Sequence, residues 1–358
     1  MALSLLATAC GRSGDADGTT TVGSTSLGDV SPNSTTTPPL GDATTSTVGA
    51  ATTTTLLDDR PLSPLNGMPV DDPTLLDRKL IAVKIDNSTN AQPQSGIEEA
   101  DAIIELVLKS DATRFIALFL ESDTEWLGPM RSIRPTDSTV IAPLNGVLQM
   151  SGGQSWIRTK ATTDGVALIG EVGGPVTMRW NGRNAPHNLY VNTAEVRNHA
   201  EDRGLDQAPP PPLFEWGPLG ESARTATGDI LFDWTSRVQV TWQWAGTEYL
   251  RFVSDNPHNW RTMDGEVEVQ VAADTLIVLK VEQYVACPSG AGSCVPASVT
   301  VGENGAMVFA GGRYVEGKWQ RDSIDDWFIL TTDDGETISV PAGRIFIMLY
   351  PDTAEITW

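Results

Sequence analysis

The chain is poor in basic residues for its size. Its 358 residues include 24 Lys and Arg against 46 Asp and Glu, which gives a formal net charge of -22 and a pI near 4.4. Binding to nucleic acid requires a basic face, so this balance argues against nucleic acid as a partner. It also argues against adsorption to anionic lipid through overall charge.

Histidine and known catalytic signatures are scarce too. The three histidines are His187, His199 and His258, and none is spaced for a metal site. The sequence contains no Gly-x-Ser-x-Gly nucleophile motif and no Walker or dinucleotide-binding glycine pattern. We therefore expect no metal and no cofactor, and the sequence leaves open whether the protein is an enzyme.

Two residue combinations nevertheless have catalytic potential. His187 lies beside Asn188 in a loop rich in Gly, Asn and Pro, and it could be a general base or simply a hydrogen-bonded loop histidine. Asp86 and Glu105 could form a carboxylate pair of the kind found in glycosidases. The separation of the two carboxyl groups decides that question, and a sequence does not contain it.

Cysteine occurs three times, and the first copy follows Leu6-Ala-Thr-Ala. This pattern resembles the lipobox of a bacterial lipoprotein, which implies cleavage before Cys10 and a lipid on its sulfur. Residues 1–10 would then be the remnant of a signal, and the protein would be exported and anchored to the outer face of the cytoplasmic membrane. The apolar run is short and no Lys or Arg precedes it, unlike a complete signal peptide, so we expect the natural start to lie upstream.

The other two cysteines, Cys287 and Cys294, flank a Pro/Ser/Gly/Ala loop. In an exported chain such a pair is typical of a disulfide. A zinc site is the weaker alternative, because no His or further Cys lies nearby in the sequence.

Composition divides the chain into three parts. Residues 11–60 are dominated by Thr, Ser, Gly, Pro and Asp and are predicted to be a disordered tether. Residues 61–207 alternate strands with helices, which predicts an α/β domain with a mixed sheet. After the prolines at 209–212, residues 213–358 show short alternating runs and Asp-Gly or Asn-Gly turns, which predict a smaller, mostly antiparallel β-domain. The fold class is therefore α+β or α/β.

Most of the tryptophans lie in the predicted β-domain, eight of eleven from Trp216 onwards. They could form an aromatic sugar-binding face or the core of a small β-fold, and we favour the core.

The local predictions that matter for function begin with a buried strand at Leu80–Ile85 that meets a polar loop. A second strand is predicted at Thr113–Leu120, and it is apolar on both faces. Between them, Ser95-Gly-Ile-Glu98 has the form of a capping box, and apolar residues recur after it at helical spacing. We therefore predict a helix there. Its solvated face would carry Glu98, Asp101, Glu105 and Lys109.

Positive charge is concentrated in one stretch, residues 126–190. This stretch contains six basic residues against three acids, and the basic ones are Arg131, Arg134, Arg158, Lys160, Arg179 and Arg183. They could form a pocket for an anionic or hydroxyl-rich ligand, because guanidinium groups match carboxylate and phosphate oxygens. They could equally pair with the surplus of acidic residues elsewhere, since ion-pair networks imitate functional sites.

Three polar segments each follow a predicted strand: Asp86-Asn87, Arg131–Arg134 and Ser151–Gly153. In α/β sheets, ligands bind beyond the carboxyl ends of the strands. We therefore expect these three segments to converge on one crevice.

Several motifs resemble the DUF3048 (YerB-like) family of bacterial lipoproteins. They include Pro64–Pro69, Val83–Asn87, Arg114-Phe115, Gly128–Pro135, Ser151–Gly153 and Ala185–Tyr190, with Gly305–Tyr314 and Gly317–Arg321 in the second half. The resemblance implies an exported, membrane-tethered protein of two domains, and it implies no known reaction. The family's polar motif positions correspond here to Asp86, Asn87, Glu105, Arg114, Arg131, Ser132, Arg134, His187 and Asn188.

Together with Ser151, Gly152 and Gly153, those positions form the candidate ligand-binding set. The first hypothesis is a cell-envelope lipoprotein that binds an anionic or glycan-like envelope ligand through an arginine-rich crevice. The alternatives are a cell-wall hydrolase or transferase that uses Asp86 or Glu105 with His187, and a scaffold whose β-domain docks an envelope protein.

Overall fold

The structure is a computed structural model that describes residues 58–109, 112–170, 174–205 and 208–358. The predicted signal remnant with Cys10 lies outside the described residues, as does all but the end of the predicted tether. The described residues belong to one compact unit. None of its helices is long and apolar enough to span a bilayer.

The described residues contain three α-helices, at Pro135–Ile141 (α1), Ser155–Thr163 (α2) and Thr193–Asp202 (α3). Short 3₁₀ helices lie at Pro73–Asp77, Thr89–Ala91, Ile97–Glu99 and Ala142–Leu144. The strands up to α3 are Ile81–Asp86 (β1), Ala102–Lys109 (β2), Ala112–Phe119 (β3), Val147–Gln149 (β4), Ala167–Ile169 (β5), Thr177–Arg179 (β6) and Leu189–Val191 (β7).

The rest of the chain is built of strands. The first eight are Arg224–Thr225 (β8), Ile230–Thr235 (β9), Val238–Trp244 (β10), Tyr249–Val253 (β11), Asn256–Pro257 (β12), Asn259–Arg261 (β13), Glu268–Gln270 (β14) and Ala272–Ala273 (β15). The last eight are Thr275–Val281 (β16), Gln283–Ala286 (β17), Val295–Ser298 (β18), Gly302–Ala310 (β19), Arg313–Arg321 (β20), Ile329–Thr331 (β21), Ile345–Pro351 (β22) and Ile356–Thr357 (β23).

The main sheet is mixed and has 11 strands in the order β21-β20-β19-β16-β22-β2-β3-β1-β4-β5, with β8 paired to β20. Strand β22 runs parallel to both β16 and β2, and β1, β4 and β5 are also mutually parallel neighbours. An antiparallel sheet follows the order β12-β11-β10-β9-β23, with β15 beside β11. The predicted combination of a mixed sheet with antiparallel β-structure is confirmed.

The main sheet contains strands from both predicted domains, because β22 lies between β16 and β2. The predicted division of the chain into two domains at residues 208–212 therefore remains a prediction. Buried apolar side chains cover both faces of the sheet, with Ala82 and Ile104 on one side and Val83 and Ile103 on the other.

The tryptophans of the second half contribute to this core. Trp234, Trp242 and Trp319 are at most 2% exposed, as the core interpretation predicts. Trp242 contacts Phe346 edge to face, with ring centroids 4.9 Å apart.

The helix predicted from Ser95 is wrong. After a single 3₁₀ turn the chain enters β2, a central strand between β22 and β3. A strand covered on both faces is a nearly continuous apolar run, and Ile103, Ile104 and Leu106 satisfy that pattern as well as the helical one. The predicted solvated face is wrong too, since Asp101 and Glu105 are buried.

The predicted disulfide is present between Cys287 and Cys294, in the loop that joins β17 to β18. This loop packs on the residue that precedes α2. The backbone N–H groups of Gly292 and Ser293 donate to Gln154 Oε1 at 3.0 and 3.2 Å. The cross-linked loop therefore contacts the chain directly after Ser151–Gly153.

Candidate functional site: an arginine cluster

The three polar segments expected to converge do converge. Strands β1 and β4 are parallel neighbours, so their carboxyl ends lie at the same edge of the sheet. Arg131 joins them through its backbone: its N–H donates to Lys84 O at 2.8 Å, and its carbonyl accepts from Ser151 N at 3.0 Å. Ile133 N donates to Gly152 O at 2.9 Å.

Asp86, Arg131 and His187 form the centre of this edge. Arg131 Nε donates to Asp86 Oδ2 at 2.7 Å, and His187 Nδ1 lies 2.9 Å from the same oxygen. The Asp86 side chain is 2% exposed, whereas those of Arg131 and His187 are 16% and 20% exposed. The buried carboxylate thus orients two groups that reach solvent.

The Asp86 carboxyl is held in its ionised form. Burial is the largest influence and raises its pKa, but the charge of Arg131 and the Ser88 N–H bond at 3.1 Å act against burial. The net effect is a pKa below the ordinary value. Asp86 is therefore a permanent anchor for Arg131 rather than a proton donor near neutral pH.

Arg114 and Arg134 add two further guanidinium groups. Arg114 lies opposite Asp86 on β3 and donates from Nη1 to Ser132 O at 2.6 Å, while Arg134 Nη1 donates to Ile133 O at 2.9 Å. Within the described residues, the buried Nε atoms of Arg114 and Arg134 have no hydrogen-bond partner.

These two arginines carry a charge that their surroundings disfavour. Burial, followed by the charge of Arg134, lowers the pKa of Arg114 to about 9. Burial also lowers the pKa of Arg134, and the neighbouring Arg131 lowers it further. An anion placed between these groups would relieve both effects, because it would supply a counter-charge and hydrogen-bond acceptors.

A buried ion pair lies beneath the arginines. Lys84 Nζ donates to Asp137 Oδ1 at 2.7 Å, and both side chains are fully buried. Burial lowers the pKa of Lys84 to about 8, although Asp137 opposes the shift. Asp137 also accepts from Arg134 N at 2.8 Å at the start of α1, so this carboxylate is already engaged on both sides.

The charges of this group do not balance. Lys84, Arg114, Arg131 and Arg134 are cationic, whereas Asp86 and Asp137 are the carboxylates that influence them. Two positive charges are therefore unmatched within a largely buried group of a protein whose overall charge is -22.

Asn87 and Glu105 belong to a different, buried network. Glu105 Oε1 accepts from Arg251 Nη2 at 2.7 Å, from Thr113 Oγ1 at 2.6 Å and from Asn87 Nδ2 at 3.2 Å. Glu105 and Arg251 have fully buried side chains. The network links the two halves of the chain and leaves no open face on Glu105.

The remaining predicted residues have partners of their own outside the Asp86–Arg131–His187 group. Asn188 Oδ1 accepts from Arg179 Nη1 at 2.5 Å. Arg183 donates to the carbonyls of Ala91 and Pro93, and Lys160 pairs with Asp164. Lys160, Arg179 and Arg183 therefore have structural partners, whereas Arg131 and Arg134 lie in the cluster with Asp86 and Asp137.

Two family models match the chain: "Protein of unknown function (DUF3048) N-terminal domain" at residues 65–206 and the corresponding C-terminal domain at residues 229–347. The chain belongs to the DUF3048 family. The Bacillus subtilis protein named "Putative lipoprotein YerB" is 23% identical over 297 residues, which cover 81% of this chain and 86% of that protein.

The DUF3048 fold is known from a solved structure. The crystal structure of YerB protein from Bacillus subtilis matches with a TM-score of 0.71 at 20% sequence identity, over 84% of this chain and 100% of that chain. At this identity the likeness establishes the fold and leaves the chemistry of the crevice to the residues of this chain.

Glycine keeps the crevice edge of this DUF3048 chain open. Gly152 has a φ of +123°, a conformation that side chains disfavour, and a Cβ there would meet no atom within 4 Å. Gly153 is required for another reason, since a Cβ would lie 2.4 Å from Ile133 Cγ2. One glycine therefore leaves space beside Arg131, and the other permits close packing of two segments.

His258 also belongs to the Glu105 network, since its Nε2 lies 2.8 Å from Gln94 Oε1 and Gln94 Nε2 donates to Asn87 Oδ1 at 3.0 Å. Sequence reasoning missed several residues of the two networks, among them Lys84, Asp137, Arg251 and His258. Lys84 carried a usable signal, because a single Lys inside the apolar run Leu80–Ile85 is a buried charge that needs a partner. Arg251 and His258 carried none. They lie in a different family domain from Glu105, and only the folded chain brings them together.

The described residues contain no group of three or more His, Cys, Asp or Glu side chains that could hold a metal ion. The crevice is therefore described by its arginines, one oriented histidine and backbone groups.

Proposed function

We propose that the chain is an exported lipoprotein of the cell envelope, held to the outer face of the cytoplasmic membrane by a lipid on Cys10. The pattern Leu6-Ala-Thr-Ala-Cys10 supports this proposal, as does the similarity to the Bacillus subtilis protein whose name describes it as a putative lipoprotein.

The arginine crevice would bind an anionic or glycan-like envelope ligand. The observation that carries this proposal is the unmatched positive charge of Arg114 and Arg134, whose Nε atoms are buried without partners in the described structure. Leaving buried donors unsatisfied costs about 1–3 kcal/mol each, and more for charged groups. An anion with two or more oxygens would offset that cost.

The ligand's chemistry follows from the donors. Guanidinium groups bind carboxylate and phosphate oxygens through paired hydrogen bonds. Asp86 and His187, beside them, could accept from and donate to hydroxyl groups. A sugar that carries a carboxylate or phosphate would use both kinds of contact, whereas a neutral sugar would leave the arginines unpaired.

The decisive variant is Arg134→Gln. The described side-chain contact of Arg134 is to its own neighbour, Ile133 O, and its backbone N–H to Asp137 is kept. We expect Arg134→Gln to weaken binding of inorganic phosphate and of N-acetylmuramic acid by about tenfold or more, the loss of one charge-assisted contact. The melting temperature should change by less than about 3 °C. Isothermal titration calorimetry on the full chain measures the first and differential scanning calorimetry the second.

The matched control is Arg237→Gln, which removes an exposed arginine from the turn between β9 and β10. It should leave both affinities unchanged. N-acetylglucosamine, which lacks the carboxylate, should bind much more weakly than N-acetylmuramic acid. Equal affinities for the two sugars, or phosphate binding unaffected by Arg134→Gln, would show that the arginines are structural.

One observation favours a second candidate, a cell-wall hydrolase or transferase. His187 Nδ1 lies 2.9 Å from a buried carboxylate and its ring is partly exposed, which is the arrangement of an oriented general base. Glu105 is an unsuitable partner for it, because its carboxylate is enclosed with Arg251. Asp86 would be the orienting group.

Incubation with peptidoglycan fragments separates the two candidates. We expect binding without turnover, because Arg131 Nη2 lies 3.0 Å from His187 Nδ1 and 3.3 Å from Nε2 and crowds the ring with positive charge. Turnover with a bell-shaped pH profile that disappears in His187→Ala, with N-acetylmuramic acid binding retained, would establish the enzyme instead. The fragments are analysed by mass spectrometry before and after incubation.

A further inference from the structure

A second cavity, of about 420 Å³, lies where the two family domains meet. The N-terminal domain supplies Ile97 and Ile103 to its wall, and the C-terminal domain supplies Leu250, Trp260 and Phe346. Val269 of the β13–β14 hairpin also lines it and is 47% exposed, which places part of the wall at the surface. A cavity of this size with mostly apolar walls is typical of a small-molecule site.

Glu98 is the charged residue of this wall with an unpartnered carboxylate oxygen, although its carboxylate also accepts backbone hydrogen bonds from Gly96 and from its own N–H. Its Oε2 atom is buried and makes no hydrogen bond within the described residues. The other charged groups of the wall are already matched: Arg344 Nη2 lies 2.5 Å from Glu248 Oε2 and 2.8 Å from Asp274 Oδ1. Arg344 therefore has two carboxylate partners of its own, and neither is Glu98.

The environment of Glu98 disfavours its charge. Burial raises its pKa to about 7, and the adjacent carboxylate of Glu99 contributes in the same direction. A group in this state would be stabilised by a cation that brought its own apolar surface into the cavity, because the cation would supply both the missing donor and the counter-charge.

We propose that this cavity binds a small apolar amine, whose ammonium group pairs with the Glu98 carboxylate and whose hydrocarbon body packs against Ile103, Leu250 and Phe346. Each buried methylene of such a ligand contributes favourably through the hydrophobic effect. A carboxylate ligand of the same shape would be repelled by Glu98, and a neutral alcohol would supply a donor without the counter-charge. The cavity is thus selective in charge as well as in polarity.

The proposal is independent of the anion-binding function. Among the described residues, the wall of the cavity and the group around Arg131 have no member in common. The two ligands have opposite charge, so a result at one site does not predict the result at the other.

The test uses three probes of similar shape with the full chain at pH 8: 2-phenylethylamine, 2-phenylethanol and 3-phenylpropanoate. We expect the amine to bind about tenfold more tightly than the alcohol, and the carboxylate to bind more weakly than either. Glu98→Gln keeps the size of the side chain and removes its charge, so it should reduce the affinity for the amine to that for the alcohol. Isothermal titration calorimetry and ligand-observed NMR measure these affinities.

Glu99→Gln is the matched control, because it makes the same change of charge at the next, exposed residue. It should leave the affinity for the amine within about twofold, as expected for a screened surface charge. A change from pH 8 to pH 6 protonates Glu98 and should weaken amine binding about tenfold in the wild type. The neighbouring charged groups are Glu99, Glu248 and Arg344.

In Glu98→Gln that dependence on pH should disappear while the small affinity for the alcohol remains, which shows that the cavity is intact. Equal affinity for amine and alcohol in the wild type, an amine affinity insensitive to Glu98→Gln, or no amine binding at millimolar concentration would overturn the proposal.

Discussion

Replacing Arg251 with methionine should lower the free energy of unfolding by about 3–5 kcal/mol, the cost of leaving one partner of a buried ion pair without the other. Glu105 would remain fully buried with a negative charge, and the hydrogen bonds from Thr113 and Asn87 would not neutralise it. Methionine also loses the contact of the guanidinium with the Trp242 ring, 5.8 Å away. Urea-induced unfolding followed by tryptophan fluorescence measures the change.

The double variant Glu105→Gln/Arg251→Met tests whether the unpaired charge of Glu105 causes this loss of stability. Glutamine keeps its hydrogen bonds to Thr113 and Asn87 and carries no charge, so the double variant should be more stable than Arg251→Met alone by about 1–2 kcal/mol. Arg224→Met, at an exposed pair with Glu316, is the control and should cost less than about 1 kcal/mol. A loss below about 1 kcal/mol in Arg251→Met would contradict the prediction, because the buried pair would then contribute no more than an exposed one.

The Glu105–Arg251 pair also shows where sequence reasoning reached its limit. Glu105 was assigned to a helix face because Ile97, Ala100, Ile104 and Val107 recur at helical spacing. Ile104 and Val107 instead lie in the internal strand β2, whereas Ile97 lies in the 3₁₀ turn before it. The Glu105 carboxylate inside that strand is explained only by its partner, Arg251. That partner is 146 residues away.

The place of β22 in the sheet could not be predicted either, because its neighbour β2 lies far from it in the sequence. Its apolar run was identifiable as a strand, but pairing with β2 in parallel depends on contacts between the ends of the chain. Local pattern determines which segments become strands, and long-range packing determines their order in the sheet. The division into two domains was predicted from the change at residue 213 to short runs of alternating apolar and polar residues. The main sheet nevertheless contains strands from both sides of that residue.

The convergence of the polar segments around Arg131, in contrast, was predictable. The runs that became β1 and β4 are short, apolar and followed by polar residues, and parallel neighbours place their carboxyl ends together. Arg131 was therefore expected near Asp86. What the pattern could not give was the partner of each arginine: Asp86 for Arg131, Asn188 for Arg179 and backbone carbonyls for Arg183. Those partners depend on hydrogen bonds made only after folding.

Lys84→Met should destabilise the protein by about 3 kcal/mol at pH 7, because it leaves the buried Asp137 carboxylate with the Arg134 N–H but without its cation. Lys84→Met/Asp137→Asn should recover part of that loss, since asparagine can still accept from Arg134 N and carries no charge. Lys318→Met is the control: that lysine is 56% exposed and 3.9 Å from Asp333, and its removal should change stability by less than about 0.5 kcal/mol.

The dependence of the free energy of unfolding on pH shows whether Lys84 is the group that causes this difference in stability. The pKa of Lys84 is lowered from 10.5 to about 8 by burial, so between these values the unfolded chain binds a proton that the folded protein does not. Stability from this group therefore rises with pH between about 8 and 10.5 and is constant below and above that window. The free energy of unfolding of the wild type relative to Lys84→Met should increase from pH 8 to pH 10 in urea titrations. A flat difference between the wild type and Lys84→Met would mean that Lys84 keeps an ordinary pKa, and that the cationic crowding beneath the arginine crevice is smaller than its geometry indicates.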